Sequence, residues 1–282
     1  MSKPKLLIDA HLDEVGVVVI ENTGGFVKIA AVGSPDIRTL PCSEWTFTLP
    51  DGSQVYGVVA FLPPHLTGGG AEGGIVPVDE LFVDTGGIEL PVGSFGVRKV
   101  LEFDTGALIS AKALDNRTGC AVLLDVLKRL DGDDIPVELT VQFSSQEEAG
   151  LRGAGAGAER VQPDYAVIVD VTFGQAADAK GYNVFELGKG PTLMLGASVN
   201  RAFTDKIRRT AERRGIPYVI EVTAGGSGTN ADRIQTAHFG AATAVISIPL
   251  RYMHTGIETL DMRDVQAASD LIYYLVKDWN DD

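Results

Sequence analysis

The chain has 282 residues, with 38 acidic and 24 basic side chains and a formal net charge of −14. This length suits one large domain plus a smaller one, and the acidic balance excludes a nucleic-acid binder, which needs a basic face for phosphates. The start Met1–Lys5 has no signal-peptide apolar region, and no apolar stretch could span a bilayer. The two cysteines form no disulfide framework. We therefore predict a cytoplasmic protein without membrane contact.

Strands and helices alternate in two parts of the chain, residues 1–15 and 106–282. Helices are predicted to begin after Asp115 and to run from about Ala202 to Arg214 and from Arg263 to about Trp279. The strands between them are predicted near 137–143, 165–170, 192–197, 217–222 and 242–248. This alternation predicts a layered α/β domain assembled from both parts.

Helical spacing also predicts which side of two helices is buried. In the helix after Asp115 the apolar side comprises Cys120, Ala121, Leu123, Leu124, Leu127 and Leu130. In the last helix it comprises Val265, Ala268, Leu271, Ile272 and Leu275. Cys120 is therefore interpreted as a core residue rather than a reactive thiol.

Residues 16–105 have a different pattern. Short β-prone runs such as Gly25–Ile29 and Gln54–Val59 are separated by turn signals such as Pro50-Asp51-Gly52. No long helix fits, so we predict a small β-barrel inserted into the α/β domain. His65 in this insert, and His238 on a predicted helix, are interpreted as structural residues.

The most informative stretch holds two adjacent glutamates, Glu147 and Glu148, directly after the strand near 137–143. Adjacent carboxylates at a strand end repel each other unless a cation or a proton lies between them. For a Glu-Glu pair alone, two solvated surface acids are the commoner explanation. The carboxyl end of a strand in an α/β protein, however, is where ligands gather.

Four further candidate ligands lie at the ends of apolar strands or at a helix start: His11, Asp115, Asp170 and His254. Each alone is more often a structural hydrogen-bonding group. Together, two imidazoles and several carboxylates form the mixed donor set that suits zinc, cobalt or manganese. A sugar hydrolase with paired carboxylates fits poorly, because it does not need the histidines.

Five segments in this order resemble the tetrahedral aminopeptidase family, which includes glutamyl and deblocking aminopeptidases. They are His11–Glu14, Ala113–Gly119, Gln146–Ala154, Val169–Thr172 and Pro249–Thr255. The similarity runs from about residue 5 to the C-terminus. It implies that the insert is PDZ-like and serves subunit assembly, and that the protein is a homo-oligomer, from a dimer up to a dodecamer.

The resemblance also implies two divalent metal ions, zinc or alternatively cobalt or manganese. Asp115 would bridge them. His11 with Glu148 or Asp170 would complete one site, and His254 with the remaining carboxylate the other. The family pattern implies a cis peptide bond after Asp115.

The resemblance assigns two further roles. Glu147 would be the general base that takes a proton from a metal-bound water, and Asp13 would hold the far imidazole nitrogen of His11. The expected activity is removal of N-terminal residues from peptides. The alternative is a weak or inactive relative that acts as an assembly or peptide-binding subunit.

The sequence departs from the family in two places, and the first of them motivates that alternative. Relatives have several dozen residues before the strand that ends in the first histidine, so we expect a sheet edge or an apolar patch to be uncovered here. Asn230 stands where relatives commonly have Asp. The amide keeps the size and removes the charge, which changes the electrostatics expected there.

Overall fold

The computed structural model describes residues 3–66, 75–177, 179 and 181–281, so residues 67–74 of the predicted insert lie outside it. The strands are β1 (Lys5–His11), β2 (Gly16–Thr23), β3 (Phe26–Val32), β4 (Glu44–Thr48), β5 (Gln54–Val59), β6 (Phe82–Asp84), β7 (Phe95–Arg98), β8 (Glu102–Asp104), β9 (Leu108–Ala111), β10 (Glu138–Ser144), β11 (Tyr165–Phe173), β12 (Thr192–Gly196), β13 (Val219–Thr223), β14 (Ala242–Arg251) and β15 (Glu258–Asp261). The α-helices are α1 (Leu114–Leu130), α2 (Arg152–Val161), α3 (Arg201–Arg214), α4 (Ala231–Ile234) and α5 (Met262–Lys277).

A nine-stranded sheet forms the centre of the part of the chain that the structure describes. Its order is β10-β1-β11-β14-β15-β9-β8, with β12 beside β14 and β13 beside β12. The first four strands of this order run parallel. Because parallel strands place their carboxyl ends at one edge, the residues at the ends of these strands lie close together. β10 forms one border of the sheet.

Alternating residues of β1 show how the sheet is covered on both faces. Leu6 and Ile8 pack with residues of α1, α3 and α5, whereas Leu7 packs with alanines of α2 and with α4. Side chains along a strand point alternately to opposite faces, so this central strand is apolar on both sides. The predicted layered α/β architecture is confirmed.

The second unit is a closed antiparallel barrel in the order β2-β3-β6-β5-β4-β7, with its own apolar core around Trp45 and Phe47. This confirms the prediction that the fold includes a small β-barrel. β8, which the prediction places in the insert, pairs with β9 in the large sheet. The domain boundaries at 15/16 and 105/106 remain predictions.

The buried side of α1 differs from the prediction. Cys120, Leu123 and Leu130 are buried as expected, but Ala121 and Leu124 are exposed, and so is Leu127. Val122 and Val126 are buried instead. Two neighbouring stripes of this helix are apolar, so helical spacing alone could not determine which one faces the sheet.

The other helix predictions have mixed outcomes. In α5 the five residues predicted to face inward are all buried. His238 lies in a turn rather than on a helix, and its N–H donates to Glu159 Oε2 at 2.7 Å. Among the described residues, no helix combines the length and the apolar character that a membrane span requires.

Candidate metal centre

A cavity of about 280 Å³ opens at the carboxyl edge of the parallel strands. Six of the seven predicted site residues line it: His11, Asp115, Glu147, Glu148, Asp170 and His254. They come from the end of β1, the start of α1, the turn after β10, the interior of β11 and the loop after β14. Asp170 is not at a strand end as predicted, because β11 continues to Phe173.

The first group of potential ligands comprises His11, Glu147 and Asp170, and each offers one ligand atom within 4.8 Å of the others. His11 Nε2 lies 3.8 Å from Asp170 Oδ1 and 4.0 Å from Glu147 Oε2. All three residues are buried or nearly so. The sequence left open whether Glu148 or Asp170 accompanies His11, and the geometry pairs His11 with Asp170.

The second group comprises Asp115, Glu148 and His254. His254 Nε2 lies 3.4 Å from Asp115 Oδ2 and 3.5 Å from Glu148 Oε1. The other carboxylate oxygen of Asp115, Oδ1, lies 3.2 Å from His11 Nε2. Asp115 therefore presents one oxygen to each imidazole and stands between the two groups.

The backbone around Asp115 is fixed by buried partners. The Asp115–Asn116 peptide bond is cis, as the resemblance implies. Asn116 Nδ2 donates to Val169 O at 2.8 Å, which ties this turn to β11. The carboxylate of Glu258 accepts the N–H of Asp115 at 3.0 Å and the N–H of His254 at 2.8 Å. Sequence reasoning missed Glu258, whose one local signal is its position four residues after His254.

Each site histidine is oriented through its Nδ1 atom. His11 Nδ1 lies 3.1 Å from the backbone oxygen of Asp13, while the nearest carboxylate oxygen of Asp13 is 3.7 Å away. His254 Nδ1 lies 2.8 Å from the backbone oxygen of Ser34, which follows β3 of the barrel. An Nδ1–H that donates to a carbonyl leaves Nε2 free to bind a metal. Ser34 could not be predicted, because a carbonyl partner has no side-chain signature.

The carboxylate of Asp13 lies 3.7 Å from the predicted partner, His11 Nδ1, and makes its hydrogen bonds elsewhere. Its two oxygens accept the backbone N–H groups of Glu147 at 3.1 Å and Glu148 at 3.2 Å. Burial acts to raise the pKa of Asp13, but the contact with His11 and these N–H donors outweigh it and lower the pKa. Asp13 thus holds the turn that carries both glutamates.

The protein groups alone leave the site with costly negative charge. Burial, followed by the nearby Asp170 charge, raises the pKa of Glu147 to about 8. Burial and the Asp115 charge raise the pKa of Glu148 to about 7. The contact with Asp115 raises the pKa of His254 to about 9. Dications would replace these protons and relieve the repulsion, so the donor set fits metal ions.

These shifts predict how stability depends on pH when a chelator has removed any metal. Glu147, Glu148 and His254 bind protons more tightly in the folded chain than at their ordinary values of 4.5 and 6.5. The native state therefore holds the extra protons, and we expect the free energy of unfolding to fall as the pH rises from about 5 to about 9. Urea titrations across this range measure it. A stability that rises over the same range would contradict the raised pKa values.

The same protons predict the pH dependence of metal binding. Because a bound metal displaces them, the increase in melting temperature on adding Zn²⁺ or Mn²⁺ should be larger at pH 8 than at pH 6. Asp115→Asn provides the control. Its amide nitrogen replaces one carboxylate oxygen, so the increase in melting temperature on adding metal should be smaller.

Asn230 lies behind the cavity rather than on its wall. It is 1% exposed, and its Nδ2 donates to Asp9 Oδ2 at 2.7 Å and to Ser144 Oγ at 2.9 Å. Burial raises the pKa of Asp9 to about 6, even though Gln142, Asn230 and Ser144 all act against this by hydrogen bonding. An aspartate at position 230 would place a second carboxylate beside Asp9. The amide therefore stabilises this buried contact.

Two histidines and four carboxylates around one cavity at the edge of an α/β sheet form the donor set of a metallohydrolase. Residues 1–271 match the family model described as M42 glutamyl aminopeptidase. Since this match spans most of the chain, the protein belongs to that family. The predicted resemblance is confirmed, and so is the predicted enzyme class, an aminopeptidase that hydrolyses peptide bonds.

Individual relatives align with nearly the whole chain. The lysyl aminopeptidase of Pyrococcus furiosus is 32% identical over 98% of this chain and 82% of its own length. A TET aminopeptidase from a marine sediment Thaumarchaeota archaeon has a TM-score of 0.91 and 27% identity over 98% of this chain and 82% of its own. The Pyrococcus horikoshii TET1 peptidase, described as assembling into a tetrahedron or a large octahedral shell, has a TM-score of 0.85 and 29% identity over 98% and 84%.

Proposed function

We propose that this metal-dependent aminopeptidase is dinuclear and removes N-terminal residues from peptides, with Glu147 as its general base. The observation that carries the proposal is the position of Asp115, which presents one carboxylate oxygen to His11 and the other to His254. His11 and Asp170 would hold one ion, and Glu148 and His254 the other.

The proposed roles of the two adjacent glutamates follow from their surroundings. Zinc, or alternatively cobalt or manganese, would supply an activated water and polarise the scissile carbonyl. Glu147 would accept the proton of that water on its carboxylate and deliver it to the leaving amine. Glu147 Oε2 lies 4.0 Å from His11 Nε2, which places this carboxylate beside the atoms that would hold the ion.

The inactive-relative alternative has less support. An inactive relative would lack a metal ligand or the base, or would hold one of them outside the site. Here all six candidate groups line one cavity, and Asp13 holds the turn that carries Glu147 and Glu148. The family model is described as glutamyl aminopeptidase and one relative is a lysyl aminopeptidase, so members of this family differ in the N-terminal residue that they remove.

Metal analysis combined with an activity assay tests the proposal. Protein loaded with zinc, cobalt or manganese should hold about two ions per chain. It should hydrolyse aminoacyl p-nitroanilides but not their N-acetylated counterparts, because an aminopeptidase requires a free α-amine. Folded protein that binds no metal and hydrolyses no aminoacyl substrate would support the inactive alternative.

We further propose a homo-oligomer between a dimer and a dodecamer. Several large apolar side chains of the barrel are exposed, among them Tyr56 at 63%, Leu62 at 63% and Phe95 at 61%. Burying such side chains between subunits removes them from water. Enclosure would also restrict access to short or unfolded peptides. The cytoplasmic location remains a prediction from the sequence.

The predicted assembly is measured as mass in solution. At low micromolar concentration, sedimentation or light scattering should give at least twice the chain mass of 29.9 kDa. Replacing Tyr56 and Leu62 with Lys should shift the distribution toward smaller species. A monodisperse monomer with full activity would refute the assembly, and a dimer would support only its smallest form.

A further inference from the structure

A fifth acidic side chain lines the cavity but belongs to neither candidate metal site. Glu221 on β13 lines the cavity and is 7% exposed. Its carboxylate accepts hydrogen bonds from Thr172 Oγ1 at 3.0 Å and from Thr192 Oγ1 at 2.7 Å. Both donors are neutral hydroxyls. A buried carboxylate held only by neutral donors gains from a cation, since burying an ionised group without one is costly.

The composition of the surrounding wall restricts which side chain could enter. Val171, Phe173, Met194 and Met253 provide apolar surface in the same cavity. Among the described residues that line this cavity there is no lysine or arginine. An acidic side chain would therefore meet Glu221 without a balancing cation. A purely aliphatic one would bury the carboxylate further.

A side chain with an apolar stem and a cationic end matches both features. The stem would lie along the methionines and the phenylalanine, and the end would reach the carboxylate. A cavity of about 280 Å³ is small for a ligand site and suits a single residue.

We propose that Glu221 is a specificity-determining residue that binds the positively charged end of a basic N-terminal residue, lysine above all. This inference rests on the proposed aminopeptidase function and names its substrate class. Burial raises the pKa of Glu221 against the opposing effect of its two threonine donors. A bound ammonium group acts in the same direction as those donors and stabilises the ionised carboxylate.

The wild-type protein tests the proposal through a pair of substrates. Lysyl and norleucyl p-nitroanilides share the aliphatic stem and differ in the terminal ammonium. We expect kcat/KM to be about 10- to 100-fold higher for the lysyl substrate, the range of a hydrogen bond to a charged group. The glutamyl substrate should be the poorest of the three. This comparison needs no variant and so does not depend on how a substitution folds.

Glu221→Gln then assigns the preference to this residue. The amide keeps the size and can still accept a threonine hydroxyl, but it carries no charge. We expect the ratio of kcat/KM for the lysyl substrate to that for the norleucyl substrate to fall to about threefold or less. Glu186→Gln is the matched control, because Glu186 is an exposed acid that pairs with Lys189 outside the cavity. This variant should keep the wild-type ratio.

The outcomes separate this inference from the function on which it rests. Wild-type protein that cleaves leucyl or glutamyl substrates but does not prefer lysyl over norleucyl overturns the role of Glu221 and leaves the aminopeptidase standing. Equal losses for both substrates in Glu221→Gln also overturn it, because a purely structural role affects every substrate alike. No hydrolysis of any aminoacyl substrate overturns both proposals.

Discussion

Glu147→Gln is expected to lower kcat by about a hundredfold or more and to leave the bound metal nearly unchanged. The amide cannot accept a proton, whereas Asp115, Glu148 and Asp170 still offer their carboxylates with the two histidines. Glu147 Oε2 and Asp170 Oδ1 lie 4.0 and 3.8 Å from His11 Nε2, so Asp170 remains beside His11 when Glu147 loses its charge. Metal analysis and steady-state kinetics on the same preparation measure both quantities.

The adjacent glutamate provides a matched control for this experiment. Glu148→Gln is the same substitution at the next residue. The wild-type Glu148 carboxylate, however, is a proposed metal ligand and lies 3.5 Å from His254 Nε2. It should lose metal as well as activity. Near wild-type turnover in Glu147→Gln would show that the base is assigned to the wrong group. Metal loss in both variants would make Glu147 a ligand.

The site was predictable where local sequence and sheet geometry act together. His11 and the Glu147–Glu148 pair follow apolar strands, and parallel strands bring their carboxyl ends to one edge. His254 follows β14, another strand of this parallel set, whereas Asp115 begins α1 in a turn that Asn116 ties to β11. The strand-end positions indicated that these groups lie close together, and the family resemblance supplied their assignment as metal ligands and base.

The missed residues depend on contacts that sequence patterns do not contain. Glu258 contacts His254 from β15, and Ser34 contacts it from the barrel through a backbone oxygen. Glu221 reaches the cavity across β12, so its role depends on how distant strands pair. The buried side of α1 was partly wrong for the same reason: tertiary packing selected between two apolar stripes.

Asp115→Ala is expected to remove metal and activity together, because one carboxylate serves both proposed sites. Its two oxygens lie 3.2 Å from His11 Nε2 and 3.4 Å from His254 Nε2, so no neighbouring carboxylate can replace both contacts. We expect metal content to fall from about two ions per chain and turnover to fall to background. Mass spectrometry under native conditions, which counts ions per chain, and the aminoacyl assay measure the two effects.

A loss of fold must be distinguished from a loss of metal in Asp115→Ala. The N–H of residue 115 donates to Glu258, and the Asn116 side chain donates to Val169 O of β11, so neither contact needs the Asp115 carboxylate and both should survive the truncation. The variant should therefore match chelator-treated wild type in circular dichroism and oligomer mass while failing to gain stability on metal addition. Asp115→Ala that keeps two ions per chain would refute the bridging role. So would an electron-density map with both ions bound and the Asp115 oxygens beyond coordination distance of either.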